Sequence, residues 1–170
     1  MVDQPPSKDR QAPEISQLQR REIQASIAGC LIRGYAAVMG DDQAVKIATA
    51  AIQSDAAKAG ETIAAKLGGN TMKDLGVVVK EIWAEGNAIT IQMLEETDQA
   101  LCFNVTRCRY AEFYQKEGML DLGYCLSCSR DEAFARGFNP RIRLTRTQTI
   151  MQGSPVCDFR FALEGSQTTE

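Results

Sequence analysis

The chain has 170 residues, 44% hydrophobic and 24% charged, with a net charge of −3 at pH 7. Such a size and composition fit one soluble domain, and the mild acidity argues against a nucleic-acid surface, which needs concentrated basic charge. No apolar run approaches the ~18 residues of a membrane span. The sequence holds no histidine, which removes Ser-His-Asp and Cys-His catalysis and every His-bearing metal site.

Residues 1–13 carry Pro5, Pro6 and Pro13 with little apolar content, and read as a disordered arm without the apolar segment of a secretory leader. The six cysteines are therefore expected to be thiols of a cytoplasmic protein rather than a disulfide framework. From Pro13 the pattern turns helical. Ile23, Ile27, Cys30, Leu31, Tyr35 and Val38 define an apolar face that is expected to pack within the chain or across a homo-oligomer interface. Gly40 ends this helix. A second spans about Asp42 to Leu67, with Val45, Ala48, Ile52, Ala56, Ile63 and Leu67 on one stripe, and Gly68-Gly69 stops it. A third, from Thr71 to Ala84, opens on Thr71 and Asp74.

After Gly86 the period changes from about 3.6 to 2. "AITIQML" sets Ile89, Ile91 and Met93 on one side, and "ALCFNVTR" sets Leu101, Phe103 and Val105 together, so the two read as a hairpin. Short helices follow at Arg109–Lys116 and Leu120–Tyr124. Another opens at Ser129, where Glu132 three residues on suggests a capping box, and Asn139-Pro140 breaks it. "RIRLTRTQTI" and "PVCDFRFAL" supply the last two strands. The layout is α+β: N-terminal helices, then a four-stranded antiparallel sheet with inserted short helices. Residues 14–163 are expected to form a single domain around one core, and 164–170 a flexible tail.

Without imidazole, chemistry falls to Cys, Asp, Arg and backbone amides. Cys108 stands between Arg107 and Arg109 at the start of a predicted helix, a setting that lowers a thiol pKa. Cys128 lies just before the predicted cap at Ser129, with Asp131 in the following turn. Cys157 shares a strand face with Phe159 and Phe161. Each has a bland alternative, since most free cysteines are small buried hydrophobes and most first-turn aspartates serve the helix dipole. Cys125 and Cys128 form a C-x-x-C with neither a βαβ context nor a second pair; Cys108 and Cys157 could complete a zinc site only through the fold. Cys30 and Cys102 are assigned to packing. Arg143, Thr147 and Thr149 share one face of the third strand, and with Asn104 and Arg107 they are the candidate contacts for an acidic small-molecule substrate.

The segments "FNVTRCRYAEFY", "LGYCLSCSRDEAFARGFNP", "RLTRTQTIMQG" and "CDFRF" resemble, in order and spacing, the L-2-amino-thiazoline-4-carboxylic acid hydrolase family. The resemblance implies hydrolytic opening of a small cyclic amidine to an N-carbamoyl amino acid, without a cofactor. Cys128 and Asp131 would act as nucleophile and acid–base partner, with Cys108 and Cys157 lining the same site. "GFNP" and "QGSPVCDFRF" are also similar to vinyl-reductase-type ligand-binding domains that hold zinc. There Cys128 and Cys157 match two metal cysteines, while Arg146 and Thr149 stand where the other ligands would be. That alternative implies a non-catalytic small-ligand sensor or metal-binding module.

Overall fold

Ser16 opens the first helix, α1 (Gln17–Met39), with a reciprocal cap: its Oγ accepts from the Gln19 amide at 3.2 Å and its own amide donates to Gln19 Oε1 at 3.0 Å. The computed structural model describes residues 15–165; the expected arm and most of the expected tail lie outside them. Gly40, at φ 87°, turns the chain directly into α2 (Asp41–Leu67), whose first-turn Asp41 and Asp42 suit the helix dipole. Gly68, at φ 69°, terminates it. Thr71 and Asp74 form the expected capping box of α3 (Met72–Val77), which runs on as a π-helical turn, Val78–Trp83.

The hairpin is present as β1 (Ile89–Glu96) and β2 (Ala100–Cys108), followed by α4 (Arg109–Lys116) and α5 (Leu120–Gly123). A second π turn, Tyr124–Cys128, joins α5 to α6 (Arg130–Phe138), and β3 (Ile142–Thr145) and β4 (Cys157–Leu163) complete the chain. The sheet order is β1-β2-β4-β3, antiparallel throughout. Helices first and a four-stranded antiparallel sheet after them is the α+β layout expected.

The alternation of β2 and β4 decides which face is covered. Val105 pairs with Cys157, Phe103 with Phe159 and Leu101 with Phe161, and all six are buried. Val78 and Val79 of the first π turn and Ala135 and Phe138 of α6 complete this core. Helices α2 and α6 pack through glycines: a Cβ at Gly60 would lie 2.6 Å from the Phe138 amide nitrogen, and one at Gly137 would lie 2.6 Å from the Ala57 carbonyl carbon.

Four expectations are corrected. A second buried cluster, including Ile32, Tyr114 and Leu122, lies among α1, α2, α4 and α5, where one core was expected; Cys108 and Ile150 pack against both. Of the two packings expected for the apolar face of α1, the one within the chain is not found: Leu18, Ala25, Gly29 and Ile32 are buried, while Ile23, Ile27, Leu31, Tyr35, Val38 and Cys30 are exposed. The reason is close packing: α2 is alanine-rich, and small residues let two helices approach, so the bulky stripe is left outside. Ser129 does not cap α6. Its backbone stays helical, and its hydroxyl donates back to the Cys125 carbonyl at 2.6 Å, so helical backbone runs on from Leu120 through Phe138. Finally, β3 ends at Thr145, because Thr147 and Gln148 turn their amides to the Asp158 carboxylate at 2.8–3.2 Å.

Candidate functional site

The π turn before α6 separates the two cysteines of the C-x-x-C pair. The Ser129 amide reaches the Tyr124 carbonyl at 2.8 Å, five residues back, which widens the turn. Cys125 is buried against α2, where Thr49 Oγ1 donates to its sulfur at 3.2 Å. Cys128 instead opens onto a cavity of about 610 Å³ between the N-terminal end of α1, helices α2 and α6, and the sheet.

Four sequence-derived residues meet at that cavity. Cys108 comes from the end of β2, Cys128 from the π turn, Asp131 from α6 and Cys157 from the start of β4. Three different segments thus deliver three thiols, close enough for a charge on one to oppose ionisation of the others. Trp83, Phe134 and Phe159 supply apolar wall.

The electrostatics differ from the expected reactive thiolate. The first-turn amides of Tyr110 and Ala111 favour ionisation of Cys108, as its helix-start position implies, but burial outweighs them and pushes the thiol up to about 11. Burial raises Cys128 well above an ordinary thiol, with Asp131 adding to the effect. Cys157 is also raised by burial, although the Ile150 amide donates to its sulfur at 3.1 Å. The carboxyl of Asp131 is pushed up by burial against the pull of Arg146.

Arg146, which the second resemblance set at the position of a metal ligand, is the partner of Asp131 instead. Once β3 ends, its guanidinium enters the cavity, donates to the Asp131 carboxylate and to the Cys128 carbonyl at 2.9 Å, and lies 4.9 Å above the Phe159 ring. Only 7% of its side chain is exposed. Three further arginines, Arg20, Arg21 and Arg130, line the same space and were not anticipated. Arg130 pairs with Asp55 at 2.6 Å. Arg21 donates to Gln24 of its own helix at 2.8 Å, and burial together with the nearby Arg130 charge lowers it to about 10. Each of the two pairs thus sets an arginine against a carboxylate, whereas Arg21 has no carboxylate partner among the described residues.

The five candidate substrate contacts lie away from this cavity. Arg107 is exposed and paired with Glu112 at 2.7 Å. Asn104 accepts from Arg160 at 3.0 Å on the opposite face of the sheet. Arg143 bonds the Pro140 and Ile142 carbonyls and pairs with Glu164 at 2.6 Å. Thr147 donates to Asp158 at 2.7 Å, and buried Thr149 donates to Gln152 Oε1 at 2.8 Å. Arg109, expected to assist Cys108, donates instead to the Gly86 carbonyl at 2.9 Å. Thr149 and Arg146 are thus occupied elsewhere than in a metal shell, and among the described residues no group of three or more His, Cys, Asp or Glu side chains is arranged to hold a metal ion.

A family model described as L-2-amino-thiazoline-4-carboxylic acid hydrolase matches residues 20–161, a span that includes every cavity residue just discussed. No curated protein matches the chain. Among solved structures, a trafficking protein particle complex subunit 3 from Naegleria fowleri, covalently bound to palmitic acid, is similar with a TM-score of 0.53. It shares 11% identity, over 88% of this chain and 98% of that one, a likeness of fold alone. No helix among the described residues is long and apolar enough to cross a membrane.

Proposed function

The chain belongs to the L-2-amino-thiazoline-4-carboxylic acid hydrolase family, and from that premise we propose that it opens the ring of a 2-amino-thiazoline-4-carboxylate or a closely related cyclic amidine by a cysteine-dependent hydrolysis in the cytoplasm. One observation carries the reading: three thiols from separate segments share one cavity with the Asp131–Arg146 pair. Arginine opposite a carboxylate holds it in one orientation, and a carboxyl raised by burial is a better proton acceptor than an ordinary one.

The ring carbon between nitrogen and sulfur is the electrophile. Cys128 attacks it while passing its proton to Asp131, three residues along the same helical run. A bond forms between the Cys128 sulfur and that carbon, the bond to ring sulfur breaks, and Asp131 returns the proton to the departing thiolate. Water then adds to the resulting isothiourea, Cys128 leaves and recovers a proton, and the product is the N-carbamoyl amino acid. The sum is substrate plus one water. Cys108 and Cys157, both raised by burial, act as neutral S–H donors beside the reacting carbon. Of the two cavity arginines without a carboxylate partner among the described residues, Arg20 and Arg21, the less exposed Arg21 takes the substrate carboxylate.

The test is turnover of 2-amino-thiazoline-4-carboxylate, followed by mass spectrometry of the N-carbamoyl product and by release of the new thiol. Cys128→Ser is expected to abolish turnover with its circular dichroism unchanged. Loss of general acid–base assistance in Asp131→Asn is expected to slow turnover by about 10²–10⁴. A folded Cys128→Ser variant with undiminished kcat refutes the proposed attack.

A further inference from the structure

Helix α1 presents two faces of opposite character. Its small residues, Ala25 and Gly29 with Leu18 and Ile32, turn inward. Outward stand Ile23, Ile27, Leu31, Tyr35 and Val38, with Ile27 68% and Val38 86% exposed. At 3.6 residues per turn, Ile23, Ile27, Cys30, Gly34 and Val38 fall within an arc of about 80°, with Leu31 and Tyr35 at its edge. Scattered exposed hydrophobics are ordinary, but a continuous apolar stripe along a 23-residue helix is the character of an interaction surface.

About a point between Cys30 and Leu31 the stripe places apolar residues opposite one another near its ends and centre, and sets bulky Ile27 against small Gly34. Turned end for end, Ile23 takes the place of Val38, Ile27 that of Gly34, and Cys30 that of Leu31. The ends carry opposite charge: Arg20 stands at the beginning of the stripe, and Asp41 and Asp42 follow immediately after its end. None of these three has an ion-pair partner among the described residues. We propose that this face pairs α1 antiparallel with α1 of a second copy of the chain, across a two-fold axis at Cys30 and Leu31. Arg20 then meets Asp41 and Asp42 of the second copy, twice by symmetry, whereas a parallel arrangement would set like charges together at both ends. Gly34, where an added Cβ would meet nothing within 4 Å, leaves room for the opposing Ile27.

The pairing reaches the cavity, because Arg20 also lines it. The second copy thereby contributes acidic groups at its rim. In area the face is modest. One helix of 23 residues is about 34 Å long and offers well under the roughly 800 Å² per partner of a standard interface. The association is therefore reversible, and a dimer that dissociates on dilution is expected.

Sedimentation of the full chain at about 100 µM, a concentration that populates micromolar dimers, is expected to give a dimer, and at a hundredfold dilution a monomer. Ile27→Glu, at an exposed position, is expected to be monomeric at both with unchanged circular dichroism. Arg20→Asp is expected to weaken the dimer, and its combination with Asp41→Arg and Asp42→Arg to restore it. A short bis-maleimide is expected to give a covalent dimer that Cys30→Ser abolishes. A dimer that Ile27→Glu leaves intact overturns the proposal. So does a monomer at about 100 µM: with Cys30 shielded from maleimide, the face belongs to the chain's own residues 1–14, and with binding to anionic lipid vesicles, to a membrane.

Discussion

Gly137→Ala separates helix propensity from packing. Gly137 lies inside α6, where alanine should favour an isolated helix by about 1 kcal/mol. Here the added Cβ would fall 2.6 Å from the Ala57 carbonyl carbon of α2, and closer still to its oxygen. Ordinary carbon contacts need about 3.5–4.0 Å, so the two helices must part by roughly 1 Å. Neither neighbour is a flexible side chain that could swing aside; both are backbone. Overpacking of this kind costs about 1–3 kcal/mol, and separation also forfeits dispersion along the whole α2–α6 contact. Net destabilisation of about 2 kcal/mol is expected, which for a domain of this size lowers Tm by roughly 4–8 °C. Urea unfolding followed by circular dichroism measures it, with the slope unchanged and the midpoint reduced. Because α6 carries Asp131, the same displacement should reduce turnover more than a remote variant of equal instability. A midpoint that stays or rises would mean that α2 and α6 are not in backbone contact.

Arg21→Ala is expected to raise KM for a carboxylate-bearing ring by about 10–100-fold with kcat little changed, the loss of one charge-assisted bond. Arg21→Lys should recover part of it, and an unaltered KM in Arg21→Ala removes Arg21 from substrate binding. Alkylation reports the thiols. With Cys108 pushed up to about 11, only about one molecule in a thousand carries its thiolate at pH 8, and its iodoacetamide rate should climb about tenfold per pH unit up to that value. The sign follows from burial: a raised thiol pKa leaves less thiolate near neutrality. Peptide mass spectrometry should find exposed Cys30 modified first at pH 7.5, and fast modification of Cys108 there would contradict its burial.

What the sequence makes legible is what local periodicity controls. The strand alternation of Leu101, Phe103 and Val105 against Cys157, Phe159 and Phe161 is the buried sheet face itself. Helix ends marked by Gly40, Gly68 and the Thr71–Asp74 box fall where the residue chemistry puts them. Periodicity fails in α1 for a physical reason. It identifies an apolar face but not what covers it, and the smaller face of Ala25 and Gly29 made the closer fit to the rest of the chain. The capping box at Ser129 failed because a π turn keeps the backbone helical through that residue, so no free amides await a cap. The pairing of Thr147 with Asp158 likewise depends on a neighbouring strand, and no spacing within "RLTRTQTI" encodes it.

The site divides along the same line. Cys108, Cys128, Cys157 and Asp131 were singled out by residue type, and the fold brings them to one cavity. Arg107 was assigned by its nearness to Cys108 and Arg143 by the strand face it shares with Thr147 and Thr149, and neither is a good guide to where a long side chain ends. Arg107 and Arg143 stay on the surface side of their strands with acidic neighbours. Two signals pointed to the arginines that do enter. Alternation sets Arg146 in line with Ile142 and Leu144, and a cation on the apolar face of a strand demands a buried carboxylate, which Asp131 supplies. Arg20 and Arg21 stand at the start of a helix, where the dipole disfavours positive charge. Basic residues kept in an unfavourable place, and a charge kept on a core face, are the places where local rules yield to what the cavity must hold.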